Sequence, residues 1–291
     1  MHANSEHLEA LRGKRLAFIG CGVMAEAIIA TLLRGELVTP GQIVGAEPHA
    51  ERRADLTSRY GFETLADNRA AVAGADAVLL TIKPQSLSSV AADLRRDGGL
   101  RAEQVVVSIL AGATLERLRR ELRHELLVRA MPNTPAQIGY GMTVWLPTPA
   151  VSDGQNALVA AVLSAMGQAV RVDSEDAVDM ATALSGTGPA YVFLVMEALI
   201  DAGVHMGFPR RMAEELVLQT MLGSVLFAKD SAKHPAELRN MVTSPGGTSA
   251  AAIYQMEKGS LRTVISRAVW AAYQRTEELG QGGSAPSAPV K

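Results

Sequence analysis

Two glycine-bearing stretches hold residue types and spacings that chemistry could use. The first is Gly20-Cys21-Gly22-Val23-Met24-Ala25, which follows a β-rich run at 15–20 and opens a helical pattern. Set between a strand and a helix, G-x-G-x-x-A is a dinucleotide-binding fingerprint. Gly20 permits the tight turn, Gly22 lets a pyrophosphate approach the backbone, and Ala25 lets the helix pack closely on the sheet. The first N–H groups of that helix would face the phosphates. A Gly-rich turn without a ligand is the competing explanation; a second strand ending at Ala46-Glu47 weighs against it.

Glu47 stands 25 residues beyond Gly22, about where a carboxylate binds the adenosine ribose of NAD. It should repel the 2′-phosphate of NADP, yet Arg52 and Arg53 follow closely and could pair with that phosphate. A solvated helix start would account equally for His49, Glu51 and both arginines. The spacing leans toward NADH and leaves NADPH open. Further along, Ile82-Lys83-Pro84 ends an apolar strand, and strand carboxyl ends are ligand sites in doubly wound sheets. Lys83 could reach a cofactor or an anionic substrate there, or be an ordinary strand-end lysine. Ala111 and Gly112 end another strand with small residues that would let a flat nicotinamide lie on the backbone. At 129–135 two prolines fix an irregular loop, which Asn133 would orient.

The second stretch is Thr243-Ser244-Pro245-Gly246-Gly247-Thr248-Ser249. It combines hydroxyls of Ser244, Thr248 and Ser249, N–H groups of Gly246 and Gly247, and a helix N-terminus, which together make an anion cradle. A substrate carboxylate suits that donor set. Capping by Thr248 or Ser249 would explain half of these residues; two glycines and three hydroxyls are more than a cap requires. His124, His205 and His234 lack metal-ligand spacing, so no metal is expected. Tyr191 and Glu197 fall on an apolar helix pattern and read as structural. Cys21 reads as packing, not as a nucleophile.

Positioning these groups requires two kinds of element. Strand-like runs at 15–20, 42–46, 77–82, 104–110, 126–130, 143–146 and 169–172 alternate with helical segments such as 26–34, 50–60 and 115–123. Several runs are continuously apolar, as parallel strands covered on both faces are. The expected fold class is α/β, a Rossmann-like doubly wound sheet over residues 13–172. From Ser174, with Glu175 and Asp176 behind it as N-cap and acidic first turn, strand runs vanish. Residues 173–279 read as helices punctuated at 185–189, 207–209, 234–235 and 244–247. Residues 1–12 and the Gly/Ser/Pro-rich 280–291 are expected to be disordered.

The chain has 291 residues, 28 basic and 30 acidic, for a net charge of −2. That gives no basic excess for nucleic acid. The most apolar helix-like run, 190–204, carries Glu197 and Asp201 and is shorter than a bilayer span, so no membrane segment is expected. One cysteine and a polar first fourteen residues fit a cytoplasmic protein. Hydrophobic residues reach 48% while aromatics are 4%, which suggests helices packed closely, against another subunit.

Five segments carry a resemblance: FIGCGVMAEAII at 18–29, TIKPQ at 81–85, RAMPNTPA at 129–136, ALSGTGPAYVF at 183–193 and MVTSPGGTSAA at 241–251. Over residues 15–279 the chain resembles the pyrroline-5-carboxylate reductase family of proline biosynthesis. The resemblance implies a Rossmann domain followed by an all-helical dimerisation domain that interleaves with a second subunit. Many members assemble five dimers into a ring, a decamer. It also implies NADPH or NADH at the 20–25 turn, at Asn68, at Ile82-Lys83-Pro84 and at Ala111-Gly112. The substrate, L-1-pyrroline-5-carboxylate, would sit at Ser244, Gly246, Gly247, Thr248 and Ser249, with Ser249 the candidate to bond the ring nitrogen and relay a proton. Departures are Val23 for the usual Asn, Thr187 for Ser, Ser249 for Thr, and Glu47 where NADPH users carry a small polar residue. Two other readings are a reductase of a related cyclic imine carboxylate, told apart by ring-size preference, and a non-catalytic nucleotide-binding regulator, which would bind cofactor without oxidising it.

Overall fold

The computed structural model describes residues 5–280. Eight strands form one sheet in the order β3-β2-β1-β4-β5-β6-β7-β8. They are β1 (Leu16–Ile19), β2 (Ile43–Ala46), β3 (Glu63–Leu65), β4 (Ala77–Leu80), β5 (Val105–Ser108), β6 (Leu127–Met131), β7 (Gly141–Pro147) and β8 (Gly167–Arg171). The first six are mutually parallel. Interleaved helices are α1 (Ser5–Leu11), α2 (Val23–Arg34), α3 (Ala50–Tyr60), α4 (Asn68–Val72), α5 (Leu87–Leu94), α6 (Leu115–Leu122) and α7 (Asp153–Ser164). Alternate strand residues serve opposite faces, since successive side chains point to opposite sides. Leu16 and Phe18 join one buried cluster with Ile28, Leu32 and Val162. Ala17 and Ile19 join the other, with Val72, Leu87 and Leu118.

Three features depart from expectation. Residues 5–11, expected to be disordered, form α1, and Leu11 is fully buried against the first cluster. Residues 1–4, and the tail beyond Gly280, lie outside the described residues. Strand β7 runs antiparallel to β6, because the connection over 132–140 is too short for a parallel crossover. β3 is a three-residue edge strand with too few residues to show a pattern.

Beyond β8 come α8 (Glu175–Ala181), α9 (Gly188–His205), α10 (Arg210–Asp230), α11 (Pro235–Met241), α12 (Thr248–Lys258) and α13 (Leu261–Gly280). Ser174 caps α8 by accepting from the Ala177 N–H. The glycines at 185–189 do not break the helix as expected: Thr182–Gly186 is a π-turn, and the helical segment continues from Glu175 to His205. Within its 31 residues an 18-residue window reaches a mean hydropathy of 1.4, long and apolar enough to span a membrane by length and composition. That corrects the shorter run read from the sequence. By contacts the chain forms two compact units, one running through Thr187 and resuming at Ala272, the other Gly188–Ala271. This division falls after the change of sequence texture at Val172.

A buried ion cluster ties β6 to α8. Arg129, 2% exposed, meets Glu175 at 2.9 Å and also pairs with Asp179. The same Glu175 oxygen accepts from the Leu115 N–H at 2.8 Å, at the start of α6. Removing the cation would strand Asp179, 14% exposed, with little water to solvate it, while Glu175, 32% exposed, keeps part of its hydration. Arg129→Met should therefore cost about 3–5 kcal/mol, read as a lower denaturant midpoint; an unchanged midpoint would show that the cluster adds nothing.

Candidate active site

The turn after β1 is fixed by what surrounds it. Gly20 has φ +86°, and a Cβ there would come within 2.7 Å of Ile82 Cγ2. The Thr81 hydroxyl reinforces the turn, donating to the Ile19 and Gly20 carbonyls. Gly22 is the N-cap of α2 and has no side-chain cap. A Cβ at Gly22 would meet nothing within 4 Å. Free N–H groups at a helix start beside open space are what a pyrophosphate requires, so these residues fit a dinucleotide. Ala25 is fully buried against the sheet, Met24 is half-buried and Val23 is exposed. Cys21 packs inward: its thiol lies 3.7 Å from the Ala46 carbonyl oxygen. Burial, and then the Glu47 charge, push this thiol up to about 12, which keeps it protonated and unreactive.

Glu47 follows β2 directly and is 8% exposed. Its carboxylate accepts from the Cys21 N–H at 3.2 Å and the His49 N–H at 3.1 Å, and faces His49 Nδ1 at 2.7 Å. Burial pushes its carboxyl up, but these hydrogen bonds outweigh burial and hold it below the ordinary value. Arg52, a candidate phosphate partner by sequence, is engaged elsewhere. It donates to the Cys21 carbonyl and pairs with Glu26 and Asp55. Arg53 donates to the Glu47 and Pro48 carbonyls at 2.8 Å and has no carboxylate partner among the described residues.

The remaining cofactor candidates lie in the same unit. Ile82 packs over Gly20. Lys83 is exposed, with no ion pair among the described residues, and starts the 3₁₀ turn Pro84–Ser86. Asn68 opens α4 and gives its amide to Asp93 at 3.1 Å. Gly112 has φ +71°, and a Cβ there would lie 2.7 Å from Leu279 Cβ. The chain's own last helix therefore already demands glycine at 112; Ala111 beside it is half-buried. Asn133 orients its loop: its oxygen accepts from the Met142 N–H, and its amide donates to the Ser185 carbonyl.

The second glycine stretch lies in the other compact unit and is described by itself. Gly247, not Thr248 or Ser249, is the N-cap of α12, and no side chain caps it. Thr248 and Ser249 are the first two helical residues. The hydroxyls of Ser244, Thr248 and Ser249 have no hydrogen-bond partner among the described residues, so capping does not account for them. Gly246 has φ +73°, and a Cβ at Gly247 would lie 2.5 Å from Ser244 Oγ. The positive φ thus demands glycine at 246, while a side chain at 247 would displace the Ser244 hydroxyl. The π-turn at Thr182–Gly186, the Arg52–Glu26 pair and the His49–Glu47 contact were not readable from residue order: the second joins residues distant in sequence, and the other two are local geometries that residue types alone do not select.

Fold and turn together define the class: a Rossmann-type α/β protein joined to a helical unit. Residues 15–112 match the family described as NADP oxidoreductase coenzyme F420-dependent, and residues 175–279 match pyrroline-5-carboxylate reductase dimerisation. The chain is 43% identical to a pyrroline-5-carboxylate reductase of Synechocystis sp., over 92% of this chain and 98% of that one. It is similar to the structure of a pyrroline-5-carboxylate reductase from Coxiella burnetii (TM-score 0.84, 34% identity, covering 94% and 99%). It is also similar to the Plasmodium falciparum pyrroline carboxylate reductase with NADP bound (TM-score 0.84, 28% identity, covering 92% and 98%). The chain belongs to the pyrroline-5-carboxylate reductase family.

The two glycines of the first turn should fail differently. Gly20→Ala meets both the Ile82 side chain and an unfavourable φ, so it should lower stability by about 1–3 kcal/mol. Gly22→Ala fills only open space; stability should change by less than about 1 kcal/mol while NADH and NADPH binding is lost. Melting curves beside fluorescence titrations separate the two, and equal loss of stability in both variants would contradict the geometry.

Proposed function

We propose that this chain is an NAD(P)H-dependent pyrroline-5-carboxylate reductase. It moves a hydride to the imine carbon of L-1-pyrroline-5-carboxylate and leaves L-proline, completing proline biosynthesis. The observation that carries this reading is the start of α12, where three hydroxyls without an internal partner among the described residues stand within six residues of an uncapped helix end. Such a set holds a carboxylate by neutral donors and a helix dipole. Holding a small ring at both ends contributes on the order of 7–11 kcal/mol to lowering the barrier.

The reduced nicotinamide supplies the hydride. The turn from Gly20 to Ala25 holds the pyrophosphate and Glu47 faces the adenosine ribose. Ile82, Lys83, Pro84, Asn68, Ala111 and Gly112 complete the cofactor side. On the substrate side, Ser244, Gly246, Gly247 and Thr248 hold the carboxylate. Ser249 bonds the ring nitrogen, which gains the proton as the adjacent carbon gains the hydride. The relative with NADP bound supports this cofactor class.

The dimerisation match supports a homo-oligomer. We take its helical domains to interleave in pairs, five pairs to a ring, so that the partner's α12 loop serves each cofactor domain. A second copy would then cover the apolar Glu175–His205 segment. The lone, buried Cys21 suits the cytoplasm.

Purified protein given L-1-pyrroline-5-carboxylate should oxidise NADH or NADPH; turnover with neither refutes the reaction. Ser249→Ala should lower kcat/KM about 100-fold with dinucleotide Kd unchanged, and full activity would remove Ser249 from the mechanism. Analytical ultracentrifugation should give a multiple of the dimer mass, and a monomer would refute the assembly.

A further inference from the structure

The adenosine end of the dinucleotide turn carries a charge arrangement centred on two residues. An ionised carboxylate only accepts, at about four positions. Glu47 uses three of these: Oε2 for the Cys21 N–H, and Oε1 for the His49 N–H and for His49 Nδ1 at 2.7 Å. One position is left for a ribose hydroxyl. Because Glu47 stays ionised, His49 must hold its proton on Nδ1, which leaves Nε2 outward on a side chain that is 81% exposed. Neutral His49 therefore offers an acceptor at Nε2, and imidazolium offers a donor.

The other charges nearby are committed or distant in role. On α3, Arg52 is held by Glu26 and Asp55, and Arg59 by the same two carboxylates. Asp67, just beyond β3, pairs with Arg69. Glu51 is exposed. On the turn after β1, the buried Cys21 thiol is uncharged. Arg53, bonded to two carbonyls, keeps its full charge. The charge of the Glu47–His49 pair is thus −1 with a neutral imidazole and 0 with an imidazolium.

We propose that His49 decides between a 2′-hydroxyl and a 2′-phosphate on the dinucleotide. When neutral, it leaves the Glu47 charge standing, accepts from the hydroxyl, and excludes the phosphate. When protonated, it cancels that charge and donates to the phosphate beside Arg53. This rests on the dinucleotide reading of the Gly20–Ala25 turn.

Direct fluorescence titration of the full chain with NADH and with NADPH, without substrate, tests it. His49→Gln fixes the neutral state and His49→Arg the charged one, on a side chain exposed enough to substitute without unfolding. At about pH 8 the ratio Kd(NADPH)/Kd(NADH) should be about five- to tenfold lower in His49→Arg than in His49→Gln. The wild-type ratio should move from the His49→Gln value toward the His49→Arg value as the pH is lowered. The 2′-phosphate of NADPH itself titrates near pH 6. His49→Gln reports that part alone, and the wild-type excess over it belongs to His49. Equal ratios in all three proteins at every pH overturn the proposal. Binding of neither dinucleotide to any of them overturns the dinucleotide reading instead.

Discussion

The constraint that governs this protein is an apolar helical surface that nothing among the described residues covers. Within Gly188–Ala271 only Gly203 and Ala213 are buried, and these two mark the close approach of α9 to α10, where a Cβ on Gly203 would lie 3.0 Å from Ala213 Cβ. Leu194, Leu222, Val225 and Phe227 are each more than half exposed. Covering one such side chain is worth about 1.5–3 kcal/mol, so a handful rivals the whole stability of a typical domain. Patches of this size mark interaction surfaces. The match to a dimerisation family over 175–279 supports a second copy as the class of cover. The high hydrophobic content of an aromatic-poor chain is accounted for in part by this exposed surface.

The sheet unit stands in contrast. Both faces are closed by its own helices, with one buried cluster under α1, α2 and α7 and another under α4, α5 and α6. This self-sufficiency permits a turn as constrained as Gly20–Gly22. The Gly20 geometry depends on Ile82 and Thr81 at the end of β4, and β4 is held beside β1 by parallel pairing over four residues. The glycine that admits a ligand and the glycine that serves the fold are neighbours, with opposite requirements. Gly20 needs the space a side chain would take because Ile82 occupies it. Gly22 leaves its space open.

Much of this was legible in the sequence because the signals are local. Apolar runs placed β1, β2, β4, β5 and β6 within a few residues, and Ser174 was readable as a cap because the chemistry of capping spans three residues. What escaped depends on distant partners or on local geometry that residue types do not dictate. α1 is short, and contacts beyond itself hold it: Leu11 packs on the sheet core and its carbonyl accepts from the Gln42 amide. The reversal of β7 is set by connection length. Ser185–Pro189 carries every helix-breaking residue type, yet the π-turn absorbs them: Thr187 bonds back to the Thr182 carbonyl through both N–H and hydroxyl. Arg52 looked like a phosphate ligand because its partner Glu26 is invisible without the pairing of α2 and α3. The hydroxyls at 248 and 249 looked half explained by capping until Gly247 took the cap.

The makeup of the Ser244–Ser249 turn follows from the electrostatics of the proposed substrate. A carboxylate and a ring nitrogen sit a few ångströms apart in one small molecule, and the imine is most electrophilic when that nitrogen is protonated. A lysine or arginine at the turn would bind the carboxylate strongly. It would also oppose the positive charge on the nitrogen, since two like charges about 4 Å apart cost roughly 1–4 kcal/mol in water or near a protein surface. Neutral hydroxyls and backbone N–H groups avoid that conflict. The start of α12 offers about half a positive charge spread over several donors, enough to orient a carboxylate and too little to suppress an iminium ion. Glycines let the backbone approach, and serine and threonine supply donors that can turn to accept. On this argument the site gives up some ground-state affinity so that the carbon receiving the hydride keeps its reactivity, which is where interactions confined to the transition state raise the rate.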